Sequence, residues 1–105
     1  MHLNDLAKTI HQTACEKGWW DEKRNFGELI ALCHSELSEA LEAKRTNSPA
    51  EIFINGIPEG WGVELADCII RILDMAHFFG LDMERIMLSK MEYNTHRPYR
   101  HEKDF

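Results

Sequence analysis

A chain of 105 residues with 44% hydrophobic and 29% charged residues is long enough for one globular domain with a small core. Its formal net charge of -6 argues against non-specific nucleic-acid binding, which needs a basic surface, so a polyanionic ligand would have to be bridged by a cation. No apolar run is long enough to span a bilayer, and Met1-His2-Leu3-Asn4-Asp5 lacks the order of a signal peptide, basic residues and then an apolar run. The cysteines, Cys15, Cys33 and Cys68, have no metal-ligand spacing and read as reduced thiols, so the expected location is the cytoplasm.

The first predicted helix runs from about Asn4 to Lys17. Leu6, Ile10 and Ala14 recur along one face, and Gly18 supplies the stop. Trp19 and Trp20 follow in a short connection, either as an apolar plug over the end of a bundle or as a platform on which a base stacks. Asn25 and Glu28 have capping-box spacing and open a second helix that reaches Arg45. Leu29, Cys33, Glu36, Leu37 and Ala40 share one of its faces, which puts Glu36 inside an apolar stripe and Glu39 at its edge. Residues 46–58 form the one long irregular stretch. Asn47-Ser48-Pro49 and Asn55-Gly56-Ile57-Pro58 are turn signals around Ile52-Phe53-Ile54, which reads as a loop anchor, a strand fragment or a subunit contact.

The third helix is expected from Glu59 or Trp61 to Phe79. It is apolar around most of its circumference, as a central or partner-covered helix is, with one polar line of Glu64, Asp67, Arg71 and Asp74. Gly80 ends it. Asp82 caps a fourth helix that stops near Thr95 or His96, before Pro98. Met83, Ile86, Met87 and Lys90 share a face that Asn94 and Arg97 continue if the helix persists that far, so an apolar stripe becomes cationic toward the C-terminus. Residues 99–105 read as a polar tail, flexible unless docked. The expected fold class is all-α: a single four-helix-bundle-like domain over residues 1–105, completed by oligomerisation.

The acid pairs Glu36-x-x-Glu39 and Glu64-x-x-Asp67 carry the chemistry. Residues three apart share a helix face, so each pair points one way. Buried acids are costly unless paired or bound to a cation, and two such pairs at one interface would repel. Hard carboxylate oxygens select Mg²⁺, with Mn²⁺ as a substitute, over zinc. No Glu-x-x-His occurs, which argues against a di-iron site. Lys90, Asn94 and Arg97 are candidate phosphate ligands, with surface charge as the plainer reading.

These residues resemble the signature of the all-α nucleotide pyrophosphohydrolases of the MazG type. The likeness extends through Trp20, Arg24 and Glu28-Leu29-Ile30, the run His34-Ser35-Glu36-Leu37-Ser38-Glu39-Ala40, Pro58-Glu59-Gly60, Val63-Glu64-Leu65-Ala66-Asp67, Lys90-Met91-Glu92-Tyr93-Asn94 and Arg97-Pro98-Tyr99-Arg100. It implies Mg²⁺-dependent hydrolysis of a nucleoside triphosphate to the monophosphate and pyrophosphate in a homodimer or dimer of dimers. Carried over, it implies that Glu36, Glu39, Glu64 and Asp67 bind metal, that one acid, with Glu39 a candidate, orients or deprotonates the attacking water, and that Lys90, Asn94 and Arg97 bind phosphate. Trp19, Trp20 and His34 are candidates for contacting the base. The chain departs from the family at Glu102-Lys103-Asp104, where a glycine-rich basic ending is common, although Lys103 offers one cation. The alternative from another class is a helical oligomer without catalysis that serves as a binding or regulatory module.

Overall fold

The computed structural model describes residues 2–99. The tail expectations for Arg100 to Phe105, including a role for Lys103, lie outside these residues. Helix α1 spans Leu3–Glu16, α2 Phe26–Arg45, α3 Trp61–Phe78 and α4 Met83–Thr95, with strands β1 Ile52–Ile54 and β2 Ile57–Glu59 between α2 and α3.

Local chemistry sets these boundaries. The Asn25 side chain accepts from the Glu28 backbone N–H, and the Asp82 side chain accepts from that of Arg85, so each satisfies a donor the helix start leaves free. The capping box is half formed, because the Glu28 carboxylate accepts instead from Arg24 at 2.9 Å. Three helices end in the same motif. Gly18, Asn47 and Gly80 take φ values of 83°, 62° and 70°. The N–H after each reaches back to a carbonyl five residues earlier: Trp19 to Ala14, Ser48 to Ala43, Leu81 to Ala76.

The irregular stretch contains a hairpin, the strand alternative of the sequence reading. Ile54 pairs with Ile57 across Asn55-Gly56, whose φ values of 53° and 79° give the two-residue turn that this dipeptide favours. Glu59 lies in β2, so α3 begins at Trp61. The start of α3 is pinned to the loop before β1. The Gly62 N–H donates to the Ala50 carbonyl at 2.9 Å, and Gly60, at φ 129°, passes so close that a Cβ there would lie 2.5 Å from the same oxygen.

Helix α3 is the centre of the molecule, with α1 and α2 packed on it. Leu29, Cys33, Cys68 and Met75 form the α2–α3 core, covered at one end by Trp19 and Trp20. The facing order, Leu29 with Met75, Cys33 with Cys68 and Glu39 with Glu64, falls on one helix as it rises on the other, so α2 and α3 run antiparallel. Helix α4 is attached at its start. The Leu3 N–H donates to Glu84 at 2.8 Å, the Asn4 amide donates to Asp82 at 2.8 Å, and the Glu84 N–H donates to Asn4 at 3.1 Å. No residue of α4 is buried.

Apolar surface is left open. Among the described residues no large hydrophobic side chain is fully buried, while Leu65, Ile69 and Ile72 of α3 and Met87, Leu88 and Met91 of α4 are exposed. The wide apolar circumference of α3 is thus only partly used by α1 and α2.

Candidate functional site

The antiparallel α2–α3 pairing brings both acid motifs to one place. Glu36 is 8% exposed, between the buried Cys33 and Ala40 of its own face. One carboxylate oxygen each from Glu36, Glu64 and Asp67 lie within 4.8 Å of one another. Glu39 is exposed and within hydrogen-bonding reach of Glu64. Such a set can hold a metal ion, and its donors are all hard oxygens.

The electrostatics of the cluster follow from its crowding. Glu64 is pushed up to about 7, first by loss of solvent, then by hydrogen bonding with Glu39 and Glu36, then by the charges of Glu39 and Asp67. Asp67 is also raised, first by loss of solvent and then by the Glu36 charge, while Arg71 pulls it back. Without a cation Glu64 therefore keeps a proton for part of the time near neutrality.

Arg71, one turn beyond Asp67, supplies the positive charge. Its Nε donates to Glu36 Oε1 at 2.9 Å. Its guanidinium carbon lies 5.2 Å from the centre of the Trp19 ring, and that of Arg24 lies 3.8 Å from the same ring. Arg24 also donates from Nε to the Trp19 carbonyl at 2.8 Å, which holds the indole over the end of α2. Glu36, Asp67, Arg71 and Trp19 all face a cavity of about 400 Å³, bordered also by Ile10 of α1 and by Lys17, which follows that helix. Glu36 and Asp67 therefore open onto a space of nucleotide size rather than onto flat surface.

Asp74, last on the polar line of α3, has a different fate. It is 6% exposed. It accepts from Trp20 Nε1 at 2.9 and 3.1 Å, and lies 2.7 Å from His11 Nδ1. With that proton on Nδ1, His11 Nε2 is free to accept from the Cys15 thiol at 3.4 Å. The Trp20 ring stacks on Phe78 at 4.1 Å. Trp20 is thus built into the α1–α3 junction, as the plug reading has it, whereas Trp19 borders the cavity.

The other candidates stand apart from the acids. Lys90 and Arg97 gather around the Tyr93 ring, at 4.6 and 5.8 Å; Lys90 and Asn94 are carried by the exposed far half of α4, whereas Arg97 lies past its end at Thr95, where the expected continuation of the helical line stops. None of the three lines the acid cavity. His34 borders a separate apolar groove of about 350 Å³ with Ile30, Leu37, Ile72 and Phe79. Arg71 stood on the polar line in the sequence, but nothing local marked it as the partner of Glu36, 35 residues away. The α1 wall of the cavity carried no signal at all, because Ile10 reads as core and Lys17 as surface.

Comparison with models of known protein families, with curated proteins and with solved structures yields no match.

Proposed function

We propose that this protein is a Mg²⁺-dependent nucleoside triphosphate pyrophosphohydrolase. The observation that carries the reading is the convergence of Glu36, Glu64 and Asp67 within 4.8 Å, with Glu36 and Asp67 on the wall of a cavity that also presents Arg71 and Trp19. The donor set suits the metal: oxygen ligands alone, with a proton held near pH 7 that a divalent cation would displace. A bound Mg²⁺ would neutralise charge on the phosphates and make the phosphorus more electrophilic. The chain does the rest. Glu36, Glu64 and Asp67 fix the cation, and the exposed Glu39 orients a water and takes its proton. The water oxygen bonds to the α-phosphorus, the bond from that phosphorus to the α,β-bridging oxygen breaks, and pyrophosphate leaves. The choice of the α-phosphorus rests on the resemblance in sequence.

The exposed apolar faces of α3 and α4 support a homodimer or a dimer of dimers. A second copy would cover Leu65, Ile69 and Ile72, and would offer a route by which Lys90, Asn94 and Arg97 meet an acid cluster that they do not reach within one chain. The test is pyrophosphate release from a panel of ribo- and deoxynucleoside triphosphates with Mg²⁺, alongside thermal melting with and without the ion. Turnover of at least one nucleotide and a metal-dependent rise in melting temperature are expected. No turnover and no metal effect would remove the enzyme reading and leave a helical binding module.

A further inference from the structure

In the structure, Arg71 holds Glu36 by one nitrogen. A buried arginine whose task is to neutralise a carboxylate commonly uses its fork, two parallel N–H groups on two oxygens. Here only Nε is engaged, and among the described residues the terminal nitrogens make no hydrogen bond. The side chain keeps 31% of its exposure, against 11% for Glu36. It lies against the Trp19 ring, which guides a planar guanidinium without fixing it, and it borders the cavity together with Glu36, Asp67 and Lys17. The one engaged nitrogen is spent on a carboxylate that a divalent cation would also claim. A cation at Glu36 and a guanidinium on the same oxygen repel at this range.

We propose that Arg71 is an exchangeable counter-ion: it neutralises Glu36 while the acid cluster is free of metal, and passes to a phosphate group of the ligand in the Trp19 cavity when a divalent cation takes Glu36. This rests on the pyrophosphohydrolase reading and adds to it a phosphate ligand on the same helix as the metal-binding acids. Arg71 then ties occupancy of the metal site to occupancy of the phosphate site. Metal alone must displace the arginine, whereas metal with phosphate gives the arginine a new partner.

The test measures two affinities by calorimetry on the full chain: Mn²⁺ alone, and inorganic pyrophosphate in saturating Mg²⁺. R71Q is expected to tighten Mn²⁺ by about 3- to 10-fold, because a competing positive charge is gone. The same change is expected to weaken pyrophosphate by about 10- to 100-fold, because a forked charge-assisted contact is lost. R71K keeps the charge and loses the fork. It is expected to hold Mn²⁺ as the native chain does and to bind pyrophosphate about 3- to 10-fold more weakly. Weakening of both ligands in R71Q would overturn the proposal in favour of a scaffold role, and so would unchanged pyrophosphate affinity. If R71Q does not fold, R71K decides alone, unchanged pyrophosphate affinity again counting against the proposal. A native chain that releases pyrophosphate from nucleotides while R71Q binds it normally would sink the role of Arg71 and leave the enzyme reading standing. A native chain that binds no pyrophosphate with Mg²⁺ would sink both.

Discussion

Asp67 and Asp74 sit two turns apart on one polar line of α3, and they have opposite surroundings. Asp74 is enclosed by donors, the indole N–H of Trp20 and the imidazole of His11, and its charge is spent on joining α1 and the tryptophan connection to α3. Asp67 is surrounded mainly by other acids, with Arg71 as the cation that relieves it. A carboxylate among donors is part of the scaffold. A carboxylate among carboxylates raises the energy of the folded chain and calls for a ligand.

Substitution at the two ends of the line should separate these roles. Asp67→Asn is expected to lower nucleotide turnover by about 1,000-fold or more, since it removes a ligand from the proposed hydrolytic centre, with the far-ultraviolet circular dichroism unchanged. Turnover close to native in that variant would remove Asp67 from the site. Asp74→Ala should do the reverse. It leaves His11 and Trp20 without their acceptor and should cost about 3 kcal/mol of stability by chemical denaturation, while the folded fraction still binds Mn²⁺. A loss below about 1 kcal/mol would mean that water replaces the carboxylate easily.

Gly60→Ala tests how the acid end is aimed. The methyl would meet the Pro49 and Ala50 carbonyls in a backbone conformation that suits only glycine, so a loss of about 2 kcal/mol is expected. Because Gly60 directly precedes α3, four residues before Glu64, metal affinity should fall as well. A variant with native Mn²⁺ affinity would uncouple the loop from the site.

The smallest effect is the pH dependence. Glu64 titrates near 7 in the folded chain, against an ordinary 4.5, so the folded state binds the extra proton between those values. Stability from this group is therefore complete below about 4.5 and is lost as pH rises through about 7. The metal-free native chain should lose stability over that window relative to Glu64→Gln, and added Mg²⁺ should abolish the difference. Parallel melting curves for the two chains across the window would count against the raised titration of Glu64.

Local rules were readable in the sequence. Asn25, Asp82, Gly18 and Gly80 act on backbone groups within five residues, so their identity and position suffice. Glu36 was legible for a related reason: its place within an apolar stripe already meant burial. What escaped depends on pairs far apart in the chain. Asp74 meets His11 and Trp20 from 63 and 54 residues away, and no periodicity announces such partners. Gly60 and Gly62 each lie against the Ala50 carbonyl, a contact that no local pattern announces. Lys90 and Asn94 share α4, but the helix ends at Thr95, so Arg97 leaves the line that their spacing began, and a helical wheel cannot say which neighbour the helix faces.

The fastening of α4 has a mechanical consequence. Asn4, Asp82 and Glu84 hold its first turn to the first turn of α1, and no side chain of α4 is buried further along. The helix is a lever with its fulcrum at Asp82. Asn94 lies roughly 18 Å from that fulcrum at 1.5 Å per residue, so a swing of about 10° carries it through about 3 Å. Three hydrogen bonds at one end thus set the reach of Lys90 and Asn94 at the other.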